Sequence, residues 1–155
     1  MSEPSEKEER SATFRLQDRH LTVGWWSLAI FALLGILLEA MHGFKVAWFL
    51  DPAFEIRRLL FRLAHAHGTL LSLVHLGFAA ALPRLRSDRA RGLRLASTGF
   101  LLAGTLLPLG FFLGGLRIYG GDPGPGIFLA PIGALCLIVA AFRTAWAMSF
   151  ERADR

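Results

Sequence analysis

A continuous stripe of polar side chains crosses segment 55–82, whose other residues are apolar except Arg57 and His67, and it restricts the environment that this segment can occupy. The stripe residues follow one another at spacings of three and four, so on a helix they share one face. They are Glu55, Arg58, Arg62, His65, Thr69, Ser72 and His75. An ionisable group facing lipid at a helix centre costs about 2.5–3.5 kcal/mol. We therefore predict that the stripe faces protein or water and that it marks a candidate functional site.

The rest of the chain is also too hydrophobic for an ordinary soluble domain. Of its 155 residues, 54% are hydrophobic and 19% charged, and the mean hydropathy is +0.46. This composition leaves room for four spans of about 20 residues in one membrane domain. The basic residues that produce the net charge of +5 mostly flank apolar runs. We therefore expect the lipid bilayer, and no nucleic acid, as their partner.

The predicted fold class is an all-α integral membrane protein, a four-helix transmembrane bundle with both termini on the cytoplasmic side. Residues 1–22 are predicted to be a disordered cytoplasmic tail, 23–150 the membrane domain and 151–155 a short cytoplasmic end. The expected spans are about 24–43, 57–82, 95–116 and 126–148. Asp51 and Pro52 predict the start of span two, as an N-cap and a first-turn proline. In span three, Pro108 predicts a kink, and Gly110 and Gly114 predict close packing against another helix.

The distribution of Lys and Arg predicts the orientation in the membrane. Twelve of these residues lie in the tail, in the connection between spans two and three or at the C-terminal end, and five lie on the opposite side. The side richer in Lys and Arg is normally cytoplasmic, so we expect a multi-pass protein of the cytoplasmic (inner) membrane. The tryptophans fall at or near predicted span ends, where interfacial aromatic residues are common; they are Trp25, Trp26, Trp48 and Trp146.

Several ionisable side chains are predicted to share one layer near the outer face. Glu39 and His42 lie within about 6 Å of the outer end of span one, and His65 and His67 about 9–12 Å inside span two. Glu39 and His42 form an E-x-x-H pair, a spacing used in metal-binding helical bundles. We therefore consider a transition-metal site formed by Glu39, His42 and His65. The alternative is a structural ion pair of Glu39 with Arg62 or Lys45.

Haem b is the second cofactor hypothesis, with His42 and either His65 or His67 as axial ligands from different spans. His65 and His67 point about 200° apart on a regular helix, so they cannot bind one ion together. In this respect His65-Ala66-His67 resembles the H-x-H helix of the catalytic subunit of haem-copper oxidases, in which one helix serves two cofactors. The plainer hypothesis is that these histidines are neutral and hydrogen-bonded between helices.

Two further segments resemble motifs of the four-span membrane-associated proteins of eicosanoid and glutathione metabolism. Arg62, Ala64 and His65 are similar to their span-two motif. Arg117, Tyr119 and the Gly121-Asp122-Pro123 turn are similar to the stretch after their third span. The resemblance implies that Arg62, Arg117 and Tyr119 activate a thiol or bind a carboxylate, with Asp122 nearby at the outer face.

A non-enzymatic role is the main alternative to these site hypotheses. The stripe could dock against a second copy of the chain or against other membrane subunits, which makes the protein a structural or assembly subunit. His75 is then a buried hydrogen-bonding residue, although its place on the stripe also suits a proton path from the outer site. His20 is expected to be solvated in the tail. No nucleotide-binding glycine motif is present in the sequence.

Overall fold

The computed structural model describes residues 3–85 and 90–153, and about 90% of it is helical. Four long helices dominate: α1 (Glu3–Gly43), α3 (Glu55–Ala81), α4 (Ala90–Leu116) and α5 (Leu129–Ala153). The short helix α2 (Ala47–Leu50) lies between α1 and α3. Within the described ranges, all four long helices contain stretches long and apolar enough to cross a membrane. The all-α class is thus confirmed, and the four apolar helices indicate a multi-pass membrane protein.

Helix α1 differs from the expectation of a disordered tail over residues 1–22, because it begins at Glu3 and continues without interruption to Gly43. At 1.5 Å per residue, 41 residues make a helix of about 60 Å, twice the thickness of a hydrocarbon core. Leu16 packs against a buried cluster formed by α3, α4 and α5. That tertiary contact favours helix in a stretch whose polar composition predicted disorder.

The long helices form an open row rather than a closed bundle. Helix α1 packs on α3, α3 on α4 and α4 on α5, whereas α1 and α5 hardly meet. The two outer helices consequently bury only 11% and 17% of their most apolar stretches, against 39% for α3 and α4. The unburied faces of α1 and α5 remain free to contact lipid or other spans.

The connections between the helices define two ends of the molecule. We call the end with residues 44–54 and 117–124 the distal end, and the opposite one the terminal end. At the distal end, the Asp51 carboxylate accepts a hydrogen bond from the Ala53 amide over 2.9 Å, and the 3₁₀ turn Pro52–Phe54 leads into α3. Asp51 and Pro52 therefore act as predicted. The core here consists of Leu38, Phe49 and Phe61.

A two-stranded hairpin connects α4 to the last helix. Strands β1 (Ile118–Tyr119) and β2 (Asp122–Pro123) pair antiparallel, with Tyr119 opposite Asp122. Gly120 and Gly121 form the turn with φ of 58° and 94°, a conformation that favours glycine at both positions. The connection between α4 and α5 is therefore a hairpin followed by the 3₁₀ turn Pro125–Phe128.

Gly110 provides a test of the close contact between α4 and α5. A Cβ at this position would lie 2.6 Å from the backbone nitrogen of Ala130, which cannot move without shifting α5. We expect Gly110→Ala to lower the free energy of unfolding by about 1–3 kcal/mol, as overpacking does. SDS-induced unfolding in mixed micelles measures this change.

Gly77→Ala is the matched control for this substitution, because nothing lies within 4 Å of a Cβ at Gly77. It should leave stability unchanged or raise it slightly, since alanine favours helix more than glycine does. Equal unfolding midpoints for both variants would contradict the close contact between α4 and α5.

Candidate functional site

The polar stripe lies along the interface between α1 and α3. His65 donates from Nδ1 to the carbonyl oxygen of Phe31 over 2.8 Å. About two helical turns beyond His65, the hydroxyl of Ser72 lies 2.8 Å from that of Ser27, and one turn further His75 contacts His20. The hydroxyl of Thr69, between these contacts, is buried without a partner in the described structure. The part of the stripe from His65 to His75 thus faces α1, whereas Glu55 and Arg62 at its other end are exposed.

His65 has a fixed tautomer in this arrangement. A carbonyl oxygen can only accept, so Nδ1 of His65 carries the proton and Nε2 is left as an acceptor or metal ligand. The ring lies against Gly35, where an added Cβ would come within 2.6 Å of the ring carbon Cε1. Glycine at position 35 is therefore what lets the imidazole approach α1.

A cleft of about 400 Å³ lies between α1 and α3 at the distal end, and we call it the distal cleft. Its lining includes Glu39, His42 and His65 of the predicted outer layer, without His67, together with Arg62 of the stripe. Gly35 and Gly43 belong to the same wall, and the apolar side chains of Leu38 and Phe49 complete the lining. The fold therefore places side chains from positions 39 to 65 around one cavity.

The charges in the distal cleft are not paired with one another. The ion pair considered for Glu39 with Arg62 or Lys45 does not form in the described structure, where the salt bridge found is Arg58 to Glu55 at 3.5 Å. Both Glu39 and Arg62 are exposed residues, and both line the distal cleft. A carboxylate and a guanidinium therefore line the same cavity, and each has free hydrogen-bonding capacity.

A second cavity of about 630 Å³ adjoins the distal cleft and shares His42 and Arg62 with it. Arg58 lines this cavity and donates to the carbonyl oxygen of Leu50 over 2.9 Å. It also forms a salt bridge with Glu55. Arg58 is thus neutralised locally and ties α3 to the loop. Arg62 is left as the arginine with unused donors between the two cavities.

Sequence reasoning missed the role of Arg57, which lies outside the polar stripe. It is only 6% exposed, donates to the carbonyl oxygen of Trp48 over 2.7 Å, and stacks over the rings of Trp48 and Phe54 at 4.3 and 4.7 Å. Cation–π contact replaces part of the lost hydration. The nearby aromatic residues were the available signal, and Arg57 holds the distal loop against α3.

His20 and Ser97 were also missed at the terminal side of the same interface, where His75 is the buried hydrogen-bonding residue that was expected. His20, expected to be solvated, is fully buried, and its two ring nitrogens lie 2.7 Å from Nδ1 of His75 and 2.8 Å from the hydroxyl of Ser97. The ring of Phe78 packs edge-on at 4.7 Å. A histidine following a charged tail gives no local signal of burial, because its partners come from two distant helices.

The remaining predicted residues do not join the distal cleft. His67 points away from α1, donates to the carbonyl oxygen of Leu63 over 2.9 Å and packs on Phe111. Arg117, Tyr119 and Asp122 are exposed at the hairpin and are absent from the cleft lining. The cleft therefore contains Arg62 but not the other residues implied by the resemblance to the proteins of eicosanoid and glutathione metabolism. His67 is not placed to bind a ligand in the cleft.

The structure does not bring Glu39, His42 and His65 close enough together to form the metal site considered above. Among residues 3–85 and 90–153, no group of three or more His, Cys, Asp or Glu side chains is close enough to hold an ion. His65 packs on Gly35, one turn of α1 before Glu39, so its ring lies about 6 Å deeper along the helix than that carboxylate. These three residues thus line one cavity without coordinating one ion.

Comparison with known proteins adds no assignment, since no family model, no curated protein and no solved structure matches this chain.

Proposed function

We propose that this chain is a binding protein of the cytoplasmic membrane whose distal cleft, facing outward, holds a small amphiphile that bears both a cationic and an anionic group. The observation that supports this most is the pair Glu39 and Arg62, which line one cleft without neutralising each other. A zwitterionic head group provides a partner for each of these charges at once. The orientation follows the Lys and Arg distribution, with both termini inside.

The side chains around the cleft suit this ligand class. The Arg62 guanidinium offers a planar set of donors to a phosphate or carboxylate, and Glu39 accepts from an ammonium group. His65 adds an acceptor at Nε2, since its other nitrogen is held by Phe31. Leu38 and Phe49 give an apolar surface for the hydrocarbon part of the ligand. The lateral position between two outer-face helix ends allows loading from the lipid.

Binding of zwitterionic and singly charged probes tests this proposal. Short-chain phosphatidylethanolamine carries both charges, whereas phosphatidylglycerol and an alkylamine of matched length each carry one. We expect the zwitterionic probe to bind most tightly in mild detergent, measured by calorimetry. Arg62→Ala and Glu39→Gln should each cost about 2 kcal/mol, roughly 30-fold in Kd, as expected for a lost charged hydrogen bond.

Arg84→Ala is the matched control, because Arg84 is an exposed arginine at the terminal end of the same chain. It should bind the zwitterionic probe like the wild type. Equal affinity of the wild type and Arg62→Ala for that probe would contradict the proposal. So would a preference of the wild type for either singly charged probe.

Haem b is a second candidate, favoured by one observation. Histidines that ligate metals usually donate their other N–H to a carbonyl or carboxylate, as His65 does to Phe31. His42 lines the same cleft but lies seven residues from Gly35, about 10 Å along α1 from the level of the His65 ring, so His65 is the axial ligand that this candidate rests on. Oxidised and dithionite-reduced absorption spectra of the purified protein test this. A Soret band lost in His65→Ala and kept in His67→Ala supports haem, and a colourless wild-type protein excludes it from the purified form.

A further inference from the structure

Three buried side chains from three different spans form a hydrogen-bonded chain near the terminal end. Nδ1 of His20 lies 2.7 Å from Nδ1 of His75, and Nε2 of His20 lies 2.8 Å from the hydroxyl oxygen of Ser97. All three residues are at most 2% exposed. We call these residues the His20–His75–Ser97 cluster. Such groups are expensive in an apolar interior, and the distal cleft does not use them.

The proton count of this cluster allows two arrangements. A neutral imidazole has one donor and one acceptor nitrogen, so the hydrogen bonds must run in a single direction. In the first arrangement His75 donates to His20, and His20 donates to Ser97. In the second, Ser97 donates to His20, and His20 donates to His75. The two arrangements use the same heavy-atom positions and differ only in where the protons lie.

We infer that the α1–α3 interface is a proton path, with the His20–His75–Ser97 cluster as its section nearest the terminal end. Starting from the first arrangement, a proton binds Nε2 of His75, and the Nδ1 proton of His75 passes to Nδ1 of His20. The Nε2 proton of His20 then passes to the Ser97 hydroxyl, whose own proton leaves to water. One proton enters and one leaves, so no charge remains. Before the next proton enters, the hydroxyl rotates and both rings reorient, which exchanges the nitrogens at each contact and turns the donors back toward Ser97.

The surroundings of His75 fit uptake at Nε2. That atom faces Gly104 on α4, where an added Cβ would lie only 2.7 Å away. Pro108 lies four residues further along α4 and has no N–H to donate to the Gly104 carbonyl. Ser97 lies seven residues before Gly104, so the cluster covers about 10 Å of the α4 axis. Gly104 therefore lets the His75 ring pack directly against α4, and the Gly104 carbonyl lacks its usual donor within the helix.

Polar groups continue from the cluster to the distal cleft along the same interface. Ser72 and Ser27 lie one turn before His75, Thr69 follows, and His65 lines the cleft itself. These stripe positions are three or four residues apart, about 4.5–6 Å along the helix, a gap that one water can bridge. The Thr69 hydroxyl, buried without a partner in the described chain, is a polar group that such a water would satisfy.

Burial of the cluster favours a neutral resting state, since His20 and His75 are at most 2% exposed. Arg19 precedes His20 on α1, and Ser97 and Gly104 are the polar and small neighbours from α4. A positive charge inside the apolar interior is costly. Protons should therefore pass through the cluster rather than accumulate on it. This inference does not depend on the identity of the ligand in the distal cleft.

Proton flux into liposomes tests the path directly. The full-length protein is reconstituted in liposomes that contain a pH-sensitive dye, and the outside is acidified with valinomycin and potassium present to remove the membrane potential. We expect acidification faster than in protein-free liposomes. His75→Gln, Ser97→Ala and Gly104→Ala should each reduce the rate to that of protein-free liposomes, the last because its Cβ would displace the His75 ring from α4.

Matched controls separate a broken path from a damaged fold. His67→Gln removes a histidine of the same helix that lies off the interface, and Thr98→Ala removes a hydroxyl bonded only to its own helix at Arg94. Gly77→Ala controls for the glycine change. All three should conduct like the wild type. Wild-type flux equal to that of protein-free liposomes overturns the inference, and so does wild-type flux in well-folded His75→Gln or Ser97→Ala protein.

Discussion

Replacing Phe61 by alanine is expected to lower the free energy of unfolding by about 3–5 kcal/mol, the range for a large aromatic side chain removed from a core. Phe61 is 3% exposed, and its ring lies 5.2 Å from Phe112, 5.9 Å from Trp48 and 6.5 Å from Phe49, measured between ring centres. It therefore joins α3, α4 and the distal loop. SDS titration of the purified protein measures the loss.

The same substitution should also affect the distal cleft, because Phe49 both stacks on Phe61 and lines that cleft. Phe128→Ala is the matched control, since Phe128 is 72% exposed and its removal should change stability by no more than about 0.5 kcal/mol. A loss as small in Phe61→Ala as in Phe128→Ala would mean that the distal core is not packed as described.

Replacing His20 by alanine should have the second large effect, a loss of about 3 kcal/mol or more. The substitution opens a cavity beside Phe78 and leaves His75 and Ser97 without their shared partner. Buried polar groups without partners each cost about 1–3 kcal/mol. The expected result is a lower midpoint in SDS titration, with the helical signal intact before the transition.

His67→Ala is the comparison for this prediction, because His67 also lies in a span but bonds only within its own helix. Its loss should be clearly smaller than that of His20→Ala. If His20→Ala has no effect, the early part of α1 is not docked on the other helices. The expectation of a disordered tail over residues 1–22 would then be the better description.

The segment predicted as span two coincides closely with one helix of the structure. The predicted start and end of span two, 57 and 82, compare with Glu55–Ala81 for α3. This agreement has a local cause, since an apolar run of sufficient length and the Asp51–Pro52 start signal are properties of consecutive residues. The start of α1 was missed because tertiary contact, rather than local composition, favours helix there.

The candidate site was predictable in part. The stripe spacing placed Arg62 and His65 on one helix face, and the depth estimate placed Glu39 and His42 in the same layer. The structure brings all four to one cleft. The structure contains no metal site at these residues within its described part. Two side chains in the same predicted layer can still be a helical turn or more apart, which is too far to bind one ion. The direction of His67 followed from helix geometry, but its contact with Phe111 did not.

The sequence alone establishes an all-helical chain with four apolar spans, because helix formation and hydrophobic length depend on neighbouring residues. It also establishes that the stripe must be shielded from lipid, because the cost of exposing charges is independent of the fold. Which helix shields the stripe was decided by packing. His20 and His75 are 55 positions apart, and His20 and Ser97 are 77 apart. No local pattern specifies such a pair, since contact between them exists only once three helices have packed together.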